Sequence, residues 1–220
     1  GSAVAQTPSG AAGEFWPAVT TTIEVRRKMR LQLSVGKENG QDYDYEQLNA
    51  GAMLNYRMKQ ILPQPPWETD DERAHHFVAG IGYEYLRSTE NGETIGESRI
   101  VIQATPRYHP GAGLLITDRN RVEFRWIGAN YNARYRNKLT VDRRFKLNNF
   151  RFTPYASGEL FWDRNRHAWN QSQYAFGVQL PYKRRLMVDV YYLRQNCTTC
   201  NQDPLNVFGL TLNLNFRRKH

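Results

Sequence analysis

From Phe208 to Phe216 every second residue is large and apolar: Phe208, Leu210, Leu212, Leu214 and Phe216. Every residue between them is small or polar: Gly209, Thr211, Asn213 and Asn215. Successive side chains of a β-strand point to opposite faces, so this segment is a strand with one apolar and one wet side. The same period returns about every 15–20 residues, with turn residues between, and helical periodicity is hard to find. Leu186, Val188, Val190 and Tyr192 share a face, as do Tyr174, Phe176, Val178 and Leu180. Leu48, Ala50, Ala52, Leu54 and Tyr56 form another row, and Phe77, Ala79, Ile81, Tyr83 and Tyr85 a further one.

Alternation alone does not decide which face meets water. A soluble barrel or sandwich buries its apolar rows, and composition argues against that. Hydrophobic residues make up only 40% of the 220 residues, and the mean hydropathy is −0.71. Aromatics at 13%, spread along the chain, argue equally against disorder. No apolar run approaches the roughly 20 residues of a spanning helix, so any crossing of a membrane must use strands. A barrel with lipid outside and polar groups inside reconciles these facts.

The expected fold is therefore all-β: an antiparallel transmembrane β-barrel in an up-and-down meander. Roughly eleven alternating segments can be counted, but bacterial barrels normally have an even number, so about ten to twelve strands are expected, with twelve preferred. The barrel is expected to span residues 14–216 as one domain, with residues 217–220 a basic tail. Residues 1–13 read as a processed, unfolded leader. Gly1-Ser2 resembles a cloning remnant, Ala3-Val4-Ala5 fits the end of a cleaved secretory signal, and Thr7–Gly13 is rich in Gly, Ala and Pro. Trp16, Tyr85, Tyr108, Trp126, Trp162, Tyr182 and Phe216 fall near strand ends, as interfacial aromatic girdles do.

Charge placement gives an orientation. Arg26-Arg27-Lys28, Arg143-Arg144 with Lys146, and Lys183-Arg184-Arg185 occupy tight turns, and the basic tail belongs at their end. Short turns are usually periplasmic, where this end would face anionic phospholipid. The stretch Ser88–Ser98 and the loop holding Cys197 and Cys200 read as longer, extracellular connections. In an oxidising compartment that C-x-x-C is expected to close as a disulfide.

The charges inside carry the functional signal. Arg119, Arg121, Glu123 and Arg125 share one face, and Arg134, Arg136, Lys138 and Asp142 share another. Charge facing lipid costs several kcal/mol near the midplane, about 2–4 for Arg or Lys, so both faces must line the lumen. Arg99, Gln103 and Arg107 belong to the same lining, with Glu159, Asp163 and Asp189 as acidic partners and Glu84 further round. Two arrangements are open. Basic and acidic walls could face each other across water and favour small polar or anionic solutes. Alternatively the charges could pair directly and plug a narrow barrel, a role suited to the planar fork of Arg.

Several stretches resemble the outer-membrane family known as domain of unknown function 2490. They are Asp118 to Arg125, Arg134 to Leu139, Thr153-Pro154-Tyr155 through Glu159-Leu160-Phe161, and Val190 to Gln195. The resemblance covers most of the chain after Phe15 and implies a β-barrel in the outer membrane. It implies no activity, substrate or catalytic residue.

Enzymatic chemistry has little support. His75, His76, His109 and His167, with Ser88, Ser98, Ser157 and Ser172, are the candidates for a hydrolase, and only His167 and Ser172 fall in one region. No H-E-x-x-H, P-loop or nucleophile-elbow motif is present, and no compact ligand cluster suggests a metal or other cofactor. A net charge of +9 raises nucleic-acid binding, but here the charge is divided between turns and one strand face, which lumen and membrane explain better. The expectation is a monomeric barrel in contact with the bilayer and lipopolysaccharide. It would serve as a narrow channel, with a closed structural or binding barrel, or a lipid-modifying enzyme, as alternatives.

Overall fold

A computed structural model describes residues 13–40, 45–58, 75–90, 92–148, 150–183, 185–198 and 204–216. The alternating segments form twelve strands: β1 (Gly13–Arg26), β2 (Met29–Gly40), β3 (Tyr45–Arg57), β4 (Phe77–Glu90), β5 (Glu93–Gly111), β6 (Leu114–Ile127), β7 (Asn130–Arg143), β8 (Phe145–Leu147), β9 (Phe150–Asp163), β10 (Ala168–Tyr182), β11 (Leu186–Cys197) and β12 (Leu205–Phe216). Each long strand pairs with its neighbour in sequence, apart from β7, which passes over β8 to pair with β9. The short β8 pairs only with the start of β9, so it forms a hairpin extension beyond the wall. Eleven strands close the barrel.

Closure is parallel. β1 and β12 run side by side in one direction, from Gly13↔Asn206 to Ile23↔Phe216. The cause is arithmetic: every hairpin reverses the chain, so an odd number of strands leaves the first and last pointing the same way. The eleven visible segments are thus the wall itself, and the twelfth strand lies outside it. Odd closure of this kind departs from the even-numbered bacterial pattern.

Two boundaries differ from the sequence expectation. Gly13 already belongs to β1 rather than to a leader. The stretch Ser88–Ser98 is not a long connection: β4 and β5 pair through it, Ser88↔Ile95 to Glu90↔Glu93. Gly92 turns the chain there with φ of +81°, a conformation open to glycine because it lacks a Cβ.

The faces are inverted relative to a soluble protein. Exposed large apolar side chains fill the outer rows, among them Val35, Ile81, Ile102, Phe176 and Phe208. Buried positions instead include Arg30, Arg57, Arg99, Arg121, Glu123 and Glu159. One sector of the interior is apolar, where Ala175, Leu193 and Val207 pack with Trp16, Tyr191 and Leu205. Tyr155 and Tyr191 lie flat over Gly177 and Gly209, where an added Cβ would collide with each ring. Trp16 corrects the girdle: it points inward and donates Nε1–H to Glu14 Oε2 at 2.6 Å. Tyr85, Tyr108, Trp126, Tyr182 and Phe216 are exposed on the outer face, and Trp162 is half-buried there.

The basic turns share one end. Arg26 to Lys28, Arg143 to Leu147 and the β10–β11 turn lie at the end where β12 finishes, because the meander alternates ends. Residues 1–12 and 217–220, Cys200, and most of 61–76 lie outside the described residues, so the leader, the tail and the Cys197–Cys200 pairing do too.

Candidate functional site: a charged lumen

Register turns the polar faces of β5, β6, β7 and β9 into one continuous wall. Arg99 pairs with Arg125, Gln103 with Arg121, and Arg107 with Thr117 across β5–β6. Arg119 pairs with Lys138, Arg121 with Arg136, and Glu123 with Arg134 across β6–β7. Lys138 pairs with Glu159, and Arg134 with Asp163, across β7–β9. Like charges directly opposite repel, so this ladder is stable only if carboxylates reach diagonally between the guanidiniums.

They do. Glu123, fully buried, accepts from Arg134 Nε at 2.8 Å and Arg136 Nη1 at 3.0 Å, and its Oε1 lies 2.9 Å from Arg121 Nε as an ion pair. Arg136 also donates its Nε–H to Glu159 Oε1 at 2.8 Å, and Arg119 Nη2 reaches the same oxygen at 2.9 Å. Arg121 continues the chain by donating Nη2–H to Glu84. Glu97 binds Arg99 and Arg125 together, the latter in fork geometry with its second contact at 3.0 Å. Phe161 lies beneath Arg134 and Arg136, with ring-centroid distances of 5.3 and 4.5 Å, and shields their undersides from water. Charge-assisted, bidentate bonds of this kind fix side-chain geometry as well as supplying energy.

The acidic partners of the ladder, Glu97, Glu123 and Glu159, are therefore interleaved with the basic residues rather than set apart from them. Asp163 accepts from Asn132 Nδ2 at 2.8 Å, and Asp189 from the Tyr155 hydroxyl at 3.1 Å. Neither forms a salt bridge among the described residues, which corrects their expected role. Asp142 lies inward near the end of β7, opposite Tyr155. Glu97 is the principal residue that the sequence reading missed. It stands two positions before Arg99, and carrying the alternation of β5 back through Ser98 would have placed it inside.

Space remains beside this wall. A chamber of about 520 Å³ is lined by Glu14, Trp16, Glu38, Glu97, Arg99, Arg125, Arg134 and Arg136, with Gln171, Gln173 and Gln195 opposite. A second, of about 380 Å³, lies toward the basic end among Gln32, Gln103, Arg107, Arg119, Lys138 and threonines. Ser34, Gly51, Glu84 and Arg121 line both. The Glu84–Arg121 ion pair thus stands where the two chambers adjoin.

The residues considered for hydrolysis are not assembled. His167 sits in the β9–β10 turn with φ of 49°, its amide bonded to Arg164 O, while Ser172 lies in β10 between Leu160 and Asn196. His109 Nδ1 is bonded to Leu114 O at the β5–β6 turn.

No curated protein matches the chain. A family model described as "Protein of unknown function (DUF2490)" matches residues 13–206, most of the chain, and its span runs from the first strand into the last. The protein belongs to that family, and the charged lumen is built within the matched region.

Proposed function

We propose that the protein is an outer-membrane barrel whose lumen is a narrow passage for small hydrophilic solutes, with a preference for anions. One observation carries this reading: two polar chambers adjoin at the Glu84–Arg121 ion pair inside a wall whose outer face is apolar. An apolar exterior suits hydrocarbon, since lipid cannot satisfy polar groups. Guanidiniums outnumber carboxylates along the lining, and a cationic lining of this kind selects for anions. Basic turns gathered at one end suit the anionic phospholipid leaflet.

The direct pairing of Glu123, Glu159 and Glu97 favours a second reading, a closed barrel held rigid by its own ion pairs. Conductance of the folded protein in a planar bilayer separates the two. The passage predicts reproducible steps that favour anions in a salt gradient, and larger steps for Glu84→Gln, which removes the ion pair at the waist and one negative charge. Silent membranes, with insertion verified independently, would leave the closed barrel.

A further inference from the structure

The chamber at the basic end has a charge balance unlike the rest of the lumen. Four cations line it, Arg107, Arg119, Arg121 and Lys138, against one carboxylate, Glu84. Elsewhere along the wall each carboxylate serves two or three guanidiniums. Here the one carboxylate lining it among the described residues is already committed to Arg121. Arg119 gives its Nη2 to Glu159, which lies behind it, and its buried Nε has no hydrogen-bond partner among the described residues. Arg107 Nη1 is likewise buried without a partner among them. Lys138, with Arg119 opposite it across β6–β7 and Glu159 across β7–β9, forms no salt bridge among the described residues.

These groups converge. Arg119 and Lys138 are directly opposed across β6–β7, and Arg107 pairs with Thr117, one step along the same inward face from Arg119. Directly opposed side chains start about 5 Å apart and diagonal ones about 7–8 Å apart, so the three termini can reach one small ion. Thr117 and Thr140, paired with each other in the next row, add hydroxyl donors. Water could satisfy the hydrogen-bond donors, but it cannot offset the excess charge.

We infer that this chamber is a binding site for a small oxyanion of the phosphate type, held by Arg107, Arg119 and Lys138. Arg supplies a planar fork for two oxygens, Lys a point charge for a third, and the threonine hydroxyls complete the shell. The inference deepens the passage reading and rests on it only for the route by which the ion reaches the chamber. A carboxylate meets the same donors with two oxygens in place of the four of phosphate.

The test is titration of the detergent-folded full chain with inorganic phosphate, followed by calorimetry and by 31P line broadening, with acetate and chloride in parallel. The expected result is saturable binding of one phosphate per chain, with acetate at least tenfold weaker. Arg107→Gln and Lys138→Met should each weaken phosphate at least tenfold, while Arg143→Gln, outside the lumen, leaves it unchanged. Circular dichroism verifies that each variant is folded, and the wild-type titration is decisive alone if a variant is not. Absence of saturable phosphate binding overturns the site, as does binding indifferent to Arg107 and Lys138 in folded variants. Phosphate bound by a barrel silent in bilayers would retain the site and remove the passage. Conductance without phosphate binding would do the reverse.

Discussion

Asn137 donates its Nδ2–H to Asp118 Oδ1 at 2.6 Å on the outer face of the barrel, at the middle of β6 and β7. Asn120 Nδ2 binds the other carboxylate oxygen at 3.1 Å, and the Tyr135 hydroxyl donates to Asn120. The motif residues Asp118 and Asn120 therefore face away from the lumen, opposite to their neighbours Arg119 and Arg121. A polar island thus interrupts the apolar exterior, and under the proposed membrane reading its internal bonds would make it tolerable in hydrocarbon. Removing one partner of a buried polar pair costs about 1–3 kcal/mol, and more when the remaining group is charged. In a bilayer, Asn137→Leu should lower stability by at least about 2 kcal/mol, because it strands the carboxylate. Asp118→Asn removes the charge but sets one N–H against a donor, so its loss should be smaller than that of Asn137→Leu. Urea unfolding from phospholipid vesicles checks both; a larger loss for Asp118→Asn than for Asn137→Leu would contradict a lipid-facing island.

Glu123 is the keystone of the inner wall, since Arg121, Arg134 and Arg136 all converge on it. Breaking a buried ion pair by neutralising one member is costly, at about 3–5 kcal/mol, because the others keep their charge. Glu123→Gln should therefore destabilise the folded barrel by about 3 kcal/mol or more. Glu84→Gln removes a single contact at a carboxylate that is 22% exposed, so its loss should be clearly smaller. Equilibrium unfolding of the two variants side by side reads the difference. Equal losses would mean that the three-guanidinium arrangement adds nothing beyond one pair.

Much of this wall is legible in the sequence, and the limits are specific. Alternation places Arg119, Arg121, Arg125, Arg134, Arg136 and Lys138 inside, because period two fixes the face of every residue once one is known. It does not say which carboxylate meets which guanidinium. That depends on the register between strands distant in sequence, so Glu97 became a partner and Asp189 did not. Glu97 was hidden because Glu93–Gly96 reads as a turn, with no large apolar residue but Ile95 to mark the period. Trp16 was misplaced by residue type, although Phe15, Val19 and Ile23 already occupy the opposite face of β1. The parallel seam has no local signature at all. It follows from the strand count, which a single short β8 was enough to confuse.

The β8 hairpin extension makes a membrane-surface contact testable. Phe145, Leu147 and Phe150 are exposed at 40%, 67% and 58%, and Phe145 and Phe150 each stack on Phe152. Arg143 lies over the Phe145 ring, and Lys146 sits opposite Arg151. Aromatic and basic side chains together suit the headgroup layer, where each cation near an anionic surface contributes about 1 kcal/mol. Replacing Arg143 and Lys146 by Gln should slow insertion into vesicles containing anionic phospholipid and change little in zwitterionic ones. The heat-modifiable gel shift of the folded barrel measures the rate. Equal slowing in both lipids would assign the residues to folding of the hairpin rather than to the surface.

The seam offers the most direct test of the architecture. Val19 and Leu212 are register partners across β1–β12, and both are exposed on the outer face at 42% and 36%. Directly opposed residues in a sheet have Cα atoms about 4.5–5.5 Å apart, within the range a disulfide can bridge. A chain carrying Val19→Cys and Leu212→Cys should therefore cross-link on mild oxidation once folded, and migrate as a closed loop until reduced. Val19→Cys with Phe216→Cys moves one partner four positions along β12, on the same face. At about 3.3 Å per residue that separates the thiols by roughly 13 Å, beyond any disulfide. Native Cys197 and Cys200 are replaced by Ser in every variant to keep the assignment clean. Cross-linking of the first pair, and of Ile23→Cys with Phe216→Cys in a third variant, fixes the parallel direction and, with it, the odd number of strands in the wall. Cross-linking of Phe15→Cys with Phe216→Cys in place of Ile23 with Phe216 would mean that β12 runs antiparallel to β1, and that a further strand is needed to close the barrel.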